Sequence, residues 1–537
     1  MAKLGRNQAC GCGSGRKFKH CCYGIGEQAI SPEMSRELAR HQAAEAIRKR
    51  QQGLGKPIMA IEHGDHQLVF IKNEVMWSKT WKTFPDFLSA YIKRKLGPDW
   101  GKEELAKPFG ERHLIMQWWD AYSRLQKASV TKAGGINSCE VNGAVQCYLG
   151  LAYSLYLMAH NADLQDRMIA RLKDIGQFQG AFYEMLVANA LIRAGYELVL
   201  EDEADRKSRH CEFAAIKSAT SKRYTVEAKS RAVAGFLGRT AKDGGTDERP
   251  LGRLKGHLHD ALDKPSAHDR LVFIDLNAPV DLSNDKANEE VVVRAADQLE
   301  HYQGHPDAPK PSAYVFITNM AFHRHLEARP ISVIAPIGFR IPDFNKAAPI
   351  TVIEKYRQDK KHQDAYDIAR SLHSLHEFPA TFDGTLPSET LHGEPQRILI
   401  GEKYEFVDPE GPIVGVVRSA TVVENTREVW VSVETERGHQ MHREKMTDAA
   451  FDEWRNNKAA YFGEIQDVPS HAKTPYEMYR RFMEMFADYD RKALALQIGK
   501  AADDPGLAHM SDVELREQIS NGLLTKLLDK NAEKKAG

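Results

Sequence analysis

Between residues 176 and 345 the chain alternates short apolar runs with longer amphipathic stretches. The runs are ELVLE, CEFAAIK, YTVEAKS, RLVFIDL, AYVFITN and SVIAPI, and GRLKGHLHDALDK and EVVVRAADQLEHY carry helical spacing between some of them. Apolar runs of this length bounded by turn residues predict strands, and strands alternating with helices predict an α/β layer. The rhythm differs on either side. Upstream, residues 31 to 52 are rich in Ala, Arg, Glu and Gln behind Ser31-Pro32, which predicts a helix start. Residues 66 to 76 (HQLVFIKNEVM) predict a short hairpin or strand, residues 80 to 125 and 143 to 172 predict helices, and a further helix begins at 177. Downstream, residues 396 to 447 pack four or five short strands and tight turns into one stretch, which predicts a small β-barrel. The remainder, to the Lys-rich terminus, reads as helical.

At 537 residues and 42% hydrophobic content the chain supports roughly three to five units. It has no apolar run of the roughly twenty residues that cross a bilayer, and the opening MAKLGRNQACGCGSG has no signal-peptide core, so a cytoplasmic location is expected. Lys plus Arg and Asp plus Glu both total 74, so net charge names no polyanionic partner. Local charge is less even. From Arg206 to Lys255 thirteen Arg and Lys stand against five acids, a net +8. Such a window is either a solvated surface or a phosphate-contacting one. Trp77, Trp81, Trp100, Trp118 and Trp119 cluster among helical patterns and are expected in a core rather than as base-stacking platforms.

Four of the seven cysteines lie within thirteen residues, Cys10-Gly-Cys12 and Cys21-Cys22. In a reducing compartment that clustering favours a metal over disulfides, and paired thiolates at each end of a tight Gly-rich turn suit tetrahedral Zn²⁺. His20 is an alternative to one of the last two thiols. Cys10, Cys12, Ser14, Gly15, Phe18, Lys19, Cys21 and Cys22 occupy every fixed position of the SEC-C motif, the small zinc-binding tail of the translocase motor SecA, which this stretch closely resembles. Four thiolates leave no open coordination position, so the implied zinc is structural. The resemblance implies a recognition module that docks on a protein or ribosome partner. Cys139, Cys147 and Cys211 are scattered and are expected as small buried hydrophobes.

The basic window contains YTVEAKSR, residues 224 to 231. An acid two places before a lysine also occurs at 205, 359, 490 and 533, so the triplet alone decides nothing. In a strand Thr225, Glu227 and Lys229 share one face, opposite Tyr224, Val226 and Ala228. The polar turn at 217 to 222 would fold HCEFAAIK back beside this strand and bring Glu212 to Glu227. Before them, QFQGAFYEMLVANALIRA reads as a helix stopped by Gly195, and Glu184 falls on its apolar stripe with Ala181, Val187, Ala188 and Leu191. A carboxylate there requires a nearby cation, and a structural ion pair is the plain alternative to a catalytic role. Taken in order, helix Glu184, strand Glu212 and strand Glu227-x-Lys229 resemble the PD-(D/E)xK nuclease fold. The resemblance implies Glu212 and Glu227 as Mg²⁺ ligands, Lys229 as the water-positioning base and Glu184 as the helix acid. Cys211-Glu212 stands where that family has Pro-Asp, which gives the first ligand a longer side chain. The following AVAGFLGRTAKDGGTDERPLGR is a long glycine-rich loop whose Arg239, Lys242, Arg249 and Arg253 suit a nucleic acid backbone.

The expected organisation is a multidomain α/β (α+β) protein. It comprises a zinc knuckle (1–30), a mainly helical arm (31–172) and a restriction-endonuclease-like mixed sheet with flanking helices (173–345). A helix and linker (346–395), a small SH3-like β-barrel (396–447) and a C-terminal helical segment (448–537) complete it. The expected activity is Mg²⁺-dependent phosphodiester hydrolysis, with DNA favoured over RNA, and by resemblance a prokaryotic restriction or phage-defence role. The rival is a non-catalytic zinc-containing protein that docks on a ribosome, a chaperone or nucleic acid through a degenerate nuclease domain. A translocation or chaperone factor is a third reading, but no G-x-x-x-x-G-K-[ST] loop is present to drive a motor.

Overall fold

The computed structural model describes residues 31–536, apart from 132–134, 201–211, 234–248, 303–309, 346–349, 393–396, 409–410, 467–471 and 473. They fall into two compact units, one drawn from Met1–Arg50 and Ser388–Val468, the other from Gln51–Pro387 and Pro469–Gly537. The first described element is helix α1 (Pro32–Gln52). An antiparallel sheet of β1 (Met59–His63), β2 (His66–Ile71) and β3 (Glu74–Ser78) follows, one strand more than the sequence predicts. Alternation sets its two faces: Val69, Ile71 and Met76 are buried, while Met59, Ile61, Val75 and Trp77 are exposed. Trp77 therefore departs from its expected place in a core. Trp118 is buried, and Trp81, Trp100 and Trp119 pack against the core more loosely.

Six helices come next: α2 (Phe84–Leu96), α3 (Pro98–Ala106), α4 (Leu114–Ser129), α5 (Gly143–Asn161), α6 (Asp166–Lys173) and α7 (Phe178–Arg193). Caps mark several starts. Thr83 and Asp86 close a capping box on α2, and the Asn142 side chain accepts from the Val145 amide at 3.1 Å on α5. α5 and α7 are apolar almost all round and are buried almost all round, as such helices must be. α7 stops at Gly195, whose φ of 84° is the left-handed turn that glycine adopts without strain.

The chain then builds one six-stranded sheet from β4 (Tyr196–Leu200), β5 (Phe213–Lys217), β6 (Arg223–Ser230), helix α8 (Leu254–Leu262), β7 (Asp269–Asp275), helix α9 (Asp285–Glu300), β8 (Ala313–Asn319) and β9 (Val333–Phe339). Strand order follows sequence order. β4, β5 and β6 form an antiparallel meander, β6, β7 and β8 run parallel, and β9 returns antiparallel. The parallel pairs need crossovers, which α8 and α9 supply. Tyr224, Val226, Ala228, Leu271, Phe273 and Phe316 face the core that holds α5 and α7. Val272, Ile274, Val315 and Ile317 pack on the other side against Leu254 and Leu258 of α8 and Val292 and Leu299 of α9. Layered helix, sheet and helix result. The first of these cores draws on residues from Ile58 to Leu375, so helices α2, α4, α5 and α6 are part of the body that carries the sheet.

Helices α10 (Val352–Lys361) and α11 (Gln363–His373) follow, then α12 (Pro387–His392). Residues 396–447 form an antiparallel sheet of β10 (Lys403–Asp408), β11 (Gly411–Val423), β12 (Glu428–Thr435) and β13 (Gly438–Lys445), paired in series. Its first and last strands meet through side chains. Tyr404 Oη donates to Glu444 at 2.6 Å and Phe406 stacks on His442 at 4.5 Å. A break in register between Val417 and Ser419 marks a bulge in β11, a device that sharpens strand curvature. The chain ends in α13 (Asp448–Asn456), α14 (Pro475–Met485), α15 (Arg491–Gln497) and α16 (Asp512–Ala536).

Candidate active site

β6 carries Thr225, Glu227 and Lys229 on one face, and its pairing partners fix where they lie. On the antiparallel side Phe213 sits opposite Val226, and the Glu212 amide donates to the Val226 carbonyl at 3.1 Å, so Glu212 enters β5 beside Glu227. On the parallel side Glu227 pairs with Val272 and Lys229 with Ile274 in the apolar middle of the sheet. The three polar groups converge. Lys229 Nζ stands 2.9 Å from Glu227 Oε2 and 3.3 Å from Glu212 Oε1.

A second lysine joins them. Lys264, just past α8, places Nζ 2.5 Å from Glu227 Oε1 and 3.9 Å from Glu212 Oε1. Glu227 is only 2% exposed. Lys229 and Lys264 balance its charge from directions that give neither buried oxygen a well-aligned hydrogen bond. Burial raises the Glu227 carboxyl, and the lysines oppose that rise. Burial alone would lower Lys229, but the charges of Glu227 and Glu212 reverse the shift and raise it to about 12. Lys229 is therefore a fixed cation and not a proton acceptor near neutral pH.

Glu184 lies beside this cluster with the cation its position demanded. Arg171 on α6 grips it through two hydrogen bonds of 2.6 Å, the bidentate geometry of a strong guanidinium–carboxylate pair. Burial raises the Glu184 carboxyl, Arg171 pulls it back, and the negative charge of Glu212 pushes it up again. A cavity of about 30 Å³, large enough for one or two waters, is lined by both Glu184 and Glu212. His257 on α8 feels Lys229 and Arg231, and burial with the Arg253 charge lowers its imidazole, so it is neutral near pH 7.

These residues fit a hard cation in one respect: two carboxylates face each other, and the buried oxygens of Glu227 hold unused hydrogen-bonding capacity. Among the described residues no group of three or more carboxylate, imidazole or thiol side chains converges. Of the residues singled out in the sequence, the fold brings Glu212, Glu227 and Lys229 together at one end of the β5–β6 pair and sets Glu184 of α7 nearby. Sequence reasoning missed Lys264 and His257, whose only signal is position on a crossover helix and the turn after it. Arg239 and Lys242 lie outside the described residues, as do Cys10, Cys12, His20, Cys21, Cys22 and Cys211. Cys147 is buried, as expected, while Cys139 is exposed. Arg418 and Arg427 of the smaller unit form surface ion pairs with Glu434 and Asp448.

The SEC-C motif model matches residues 6–24. No curated protein and no solved structure matches the chain. No helix among the described residues is long and apolar enough to cross a membrane.

Proposed function

We propose that the protein is a metal-dependent nuclease that hydrolyses phosphodiester bonds, with DNA as its favoured substrate. The observation that supports this most directly is that Glu212 and Glu227 both come within 3.3 Å of Lys229 Nζ at the end of a paired strand couple. A bound Mg²⁺ would take oxygens of Glu212 and Glu227 and supply Lewis acidity to a water. Lys229, held positive by both carboxylates, orients the attacking water and stabilises charge that develops on the phosphate oxygens. Glu184 is a positioning residue, anchored by Arg171 and facing the small cavity before Glu212. A structural zinc on Cys10, Cys12, Cys21 and Cys22 would form the knuckle of the SEC-C motif, and that knuckle and the curled sheet at 396–447, read as SH3-like, would select target or partner. By its resemblance to restriction nucleases, such an enzyme would serve in prokaryotic restriction or phage defence.

One observation favours the rival reading of a binding protein without catalysis. Every acid at the site already has a resident cation: Arg171 on Glu184, and Lys229 and Lys264 on Glu212 and Glu227. Cleavage assays decide between them. Duplex, single-stranded and RNA substrates are offered with Mg²⁺ or Mn²⁺ and an EDTA control. Glu227→Ala is expected to show no detectable cleavage, and Lys229→Ala a loss of about 10²–10³-fold with nucleic acid binding retained. Equal cleavage by wild type and Glu227→Ala, or none by wild type on any substrate, gives the rival the field.

A further inference from the structure

Lys264 has no part in the chemistry above, yet the fold takes care to deliver it. It stands in the turn Asp263-Lys264-Pro265-Ser266 between α8 and β7. That turn is pinned at two points. Arg270 Nη2 donates to the Lys264 carbonyl at 3.1 Å, and Ser266 Oγ meets Thr225 Oγ1 at 2.6 Å, on the same face of β6 as Glu227. Nζ is thereby aimed at Glu227 Oε1, with a side chain that is 16% exposed. Lys229 takes the other Glu227 oxygen and approaches the same Glu212 oxygen, so two ammonium groups bridge one pair of carboxylates.

The local charge is thus balanced before any metal arrives. A divalent cation on Glu212 and Glu227 would leave two excess positive charges in a largely buried site unless an ammonium withdrew, and repulsion at such distances is large in a medium of low dielectric constant. Lys229 is poorly placed to withdraw, because its backbone is part of β6 and is paired there with Ile274 of β7. Lys264 sits on a turn at the rim, on a flexible four-carbon stem. We propose that Lys264 is a resident counter-ion that holds Glu212 and Glu227 together without metal and swings off Glu227 when a divalent cation binds, so that it sets the metal concentration at which the site loads. This rests on the metal-dependent reading given above.

The test uses full-length, zinc-replete protein and Mn²⁺ as the probe. Mn²⁺ binding followed by electron paramagnetic resonance is expected to be about tenfold tighter in Lys264→Met than in wild type, and close to wild type in Lys264→Arg. Acetylation by an N-hydroxysuccinimide ester, read by peptide mass spectrometry against exposed Lys102, is expected to rise several-fold at Lys264 when Mn²⁺ is added. Lys264→Met affinity equal to or weaker than wild type, or Lys264 labelling unmoved by saturating Mn²⁺, overturns the proposal and leaves the nuclease reading standing. Mn²⁺ binding that survives Glu227→Ala intact removes the metal from this site and defeats both. If Lys264→Met does not fold, as judged by circular dichroism, the labelling of wild type decides alone.

Discussion

Asp275 ends β7 as a fully buried acid, and its pH response is calculable from its surroundings. One of its oxygens, Oδ1, accepts from Thr318 Oγ1 at 3.0 Å and from the Met320 amide at 2.9 Å, and Tyr183 Oη extends the network to Thr318 at 2.8 Å. Burial outweighs these bonds and pushes the carboxyl up to about 6 from 3.8. Because the folded value is raised, stability is fully present below the unfolded value and is lost as pH rises from about 4 to about 6. Asp275→Asn keeps the acceptor oxygen and drops the charge, so it should remove about 2 kcal/mol of pH-dependent stability between pH 4.5 and 7. Chemical denaturation of both proteins at the two pH values checks this, and parallel curves would contradict it. The same scale shows what the sequence carried. Glu227 and Lys229 were legible because strand alternation is a local rule. Glu184 was legible because an acid on an apolar stripe demands a cation, here Arg171. Lys264 was not, since nothing near it in the sequence says that the turn after α8 returns to β6.

At the scale of elements, the apolar runs located all six strands of the large sheet to within about two residues. They were easy to see because central parallel strands are buried on both faces and read as continuous hydrophobic text. β1 was not visible, since MAIEH has polar residues and an exposed face. Order and direction of the strands required tertiary pairing that no single run encodes. Close approach between elements also escapes the sequence, and Gly143 illustrates it. Its amide, at the start of α5, donates to the Ala328 carbonyl at 2.9 Å. A Cβ there would lie 2.4 Å from the His325 carbonyl oxygen and 2.6 Å from that of Phe322. Backbone atoms cannot rotate away, so Gly143→Ala should cost about 2 kcal/mol. In α3, Gly101 has nothing within 4 Å of its would-be Cβ, and Gly101→Ala should stabilise by about 0.5–1 kcal/mol. Opposite shifts in melting temperature are the expected result, and same-sign shifts would contradict the close packing at Gly143.

For the whole molecule, the SEC-C motif matches residues 6–24, about 190 positions before Glu212 in the chain, and the acid–lysine cluster lies in the unit Gln51–Pro387 and Pro469–Gly537. On the proposed reading, changing Cys10 and Cys12 together to Ser should remove about one equivalent of Zn²⁺ by metal analysis and abolish binding of a partner, while cleavage of naked nucleic acid stays intact. Retention of full zinc in that variant would refute the assignment of the thiols. Each unit is made of two separate stretches of chain, so the polypeptide crosses between them three times. That arrangement has a cost in time. During synthesis α1, up to Arg50, leaves the ribosome well before its structural complement, which ends at Val468. At 5–20 residues per second the wait is about 20–80 s, during which the larger unit can begin to assemble around α5 and α7. Through that interval α1 has no finished neighbour, and its charged, alanine-rich sequence is of the kind that remains dissolved while it waits.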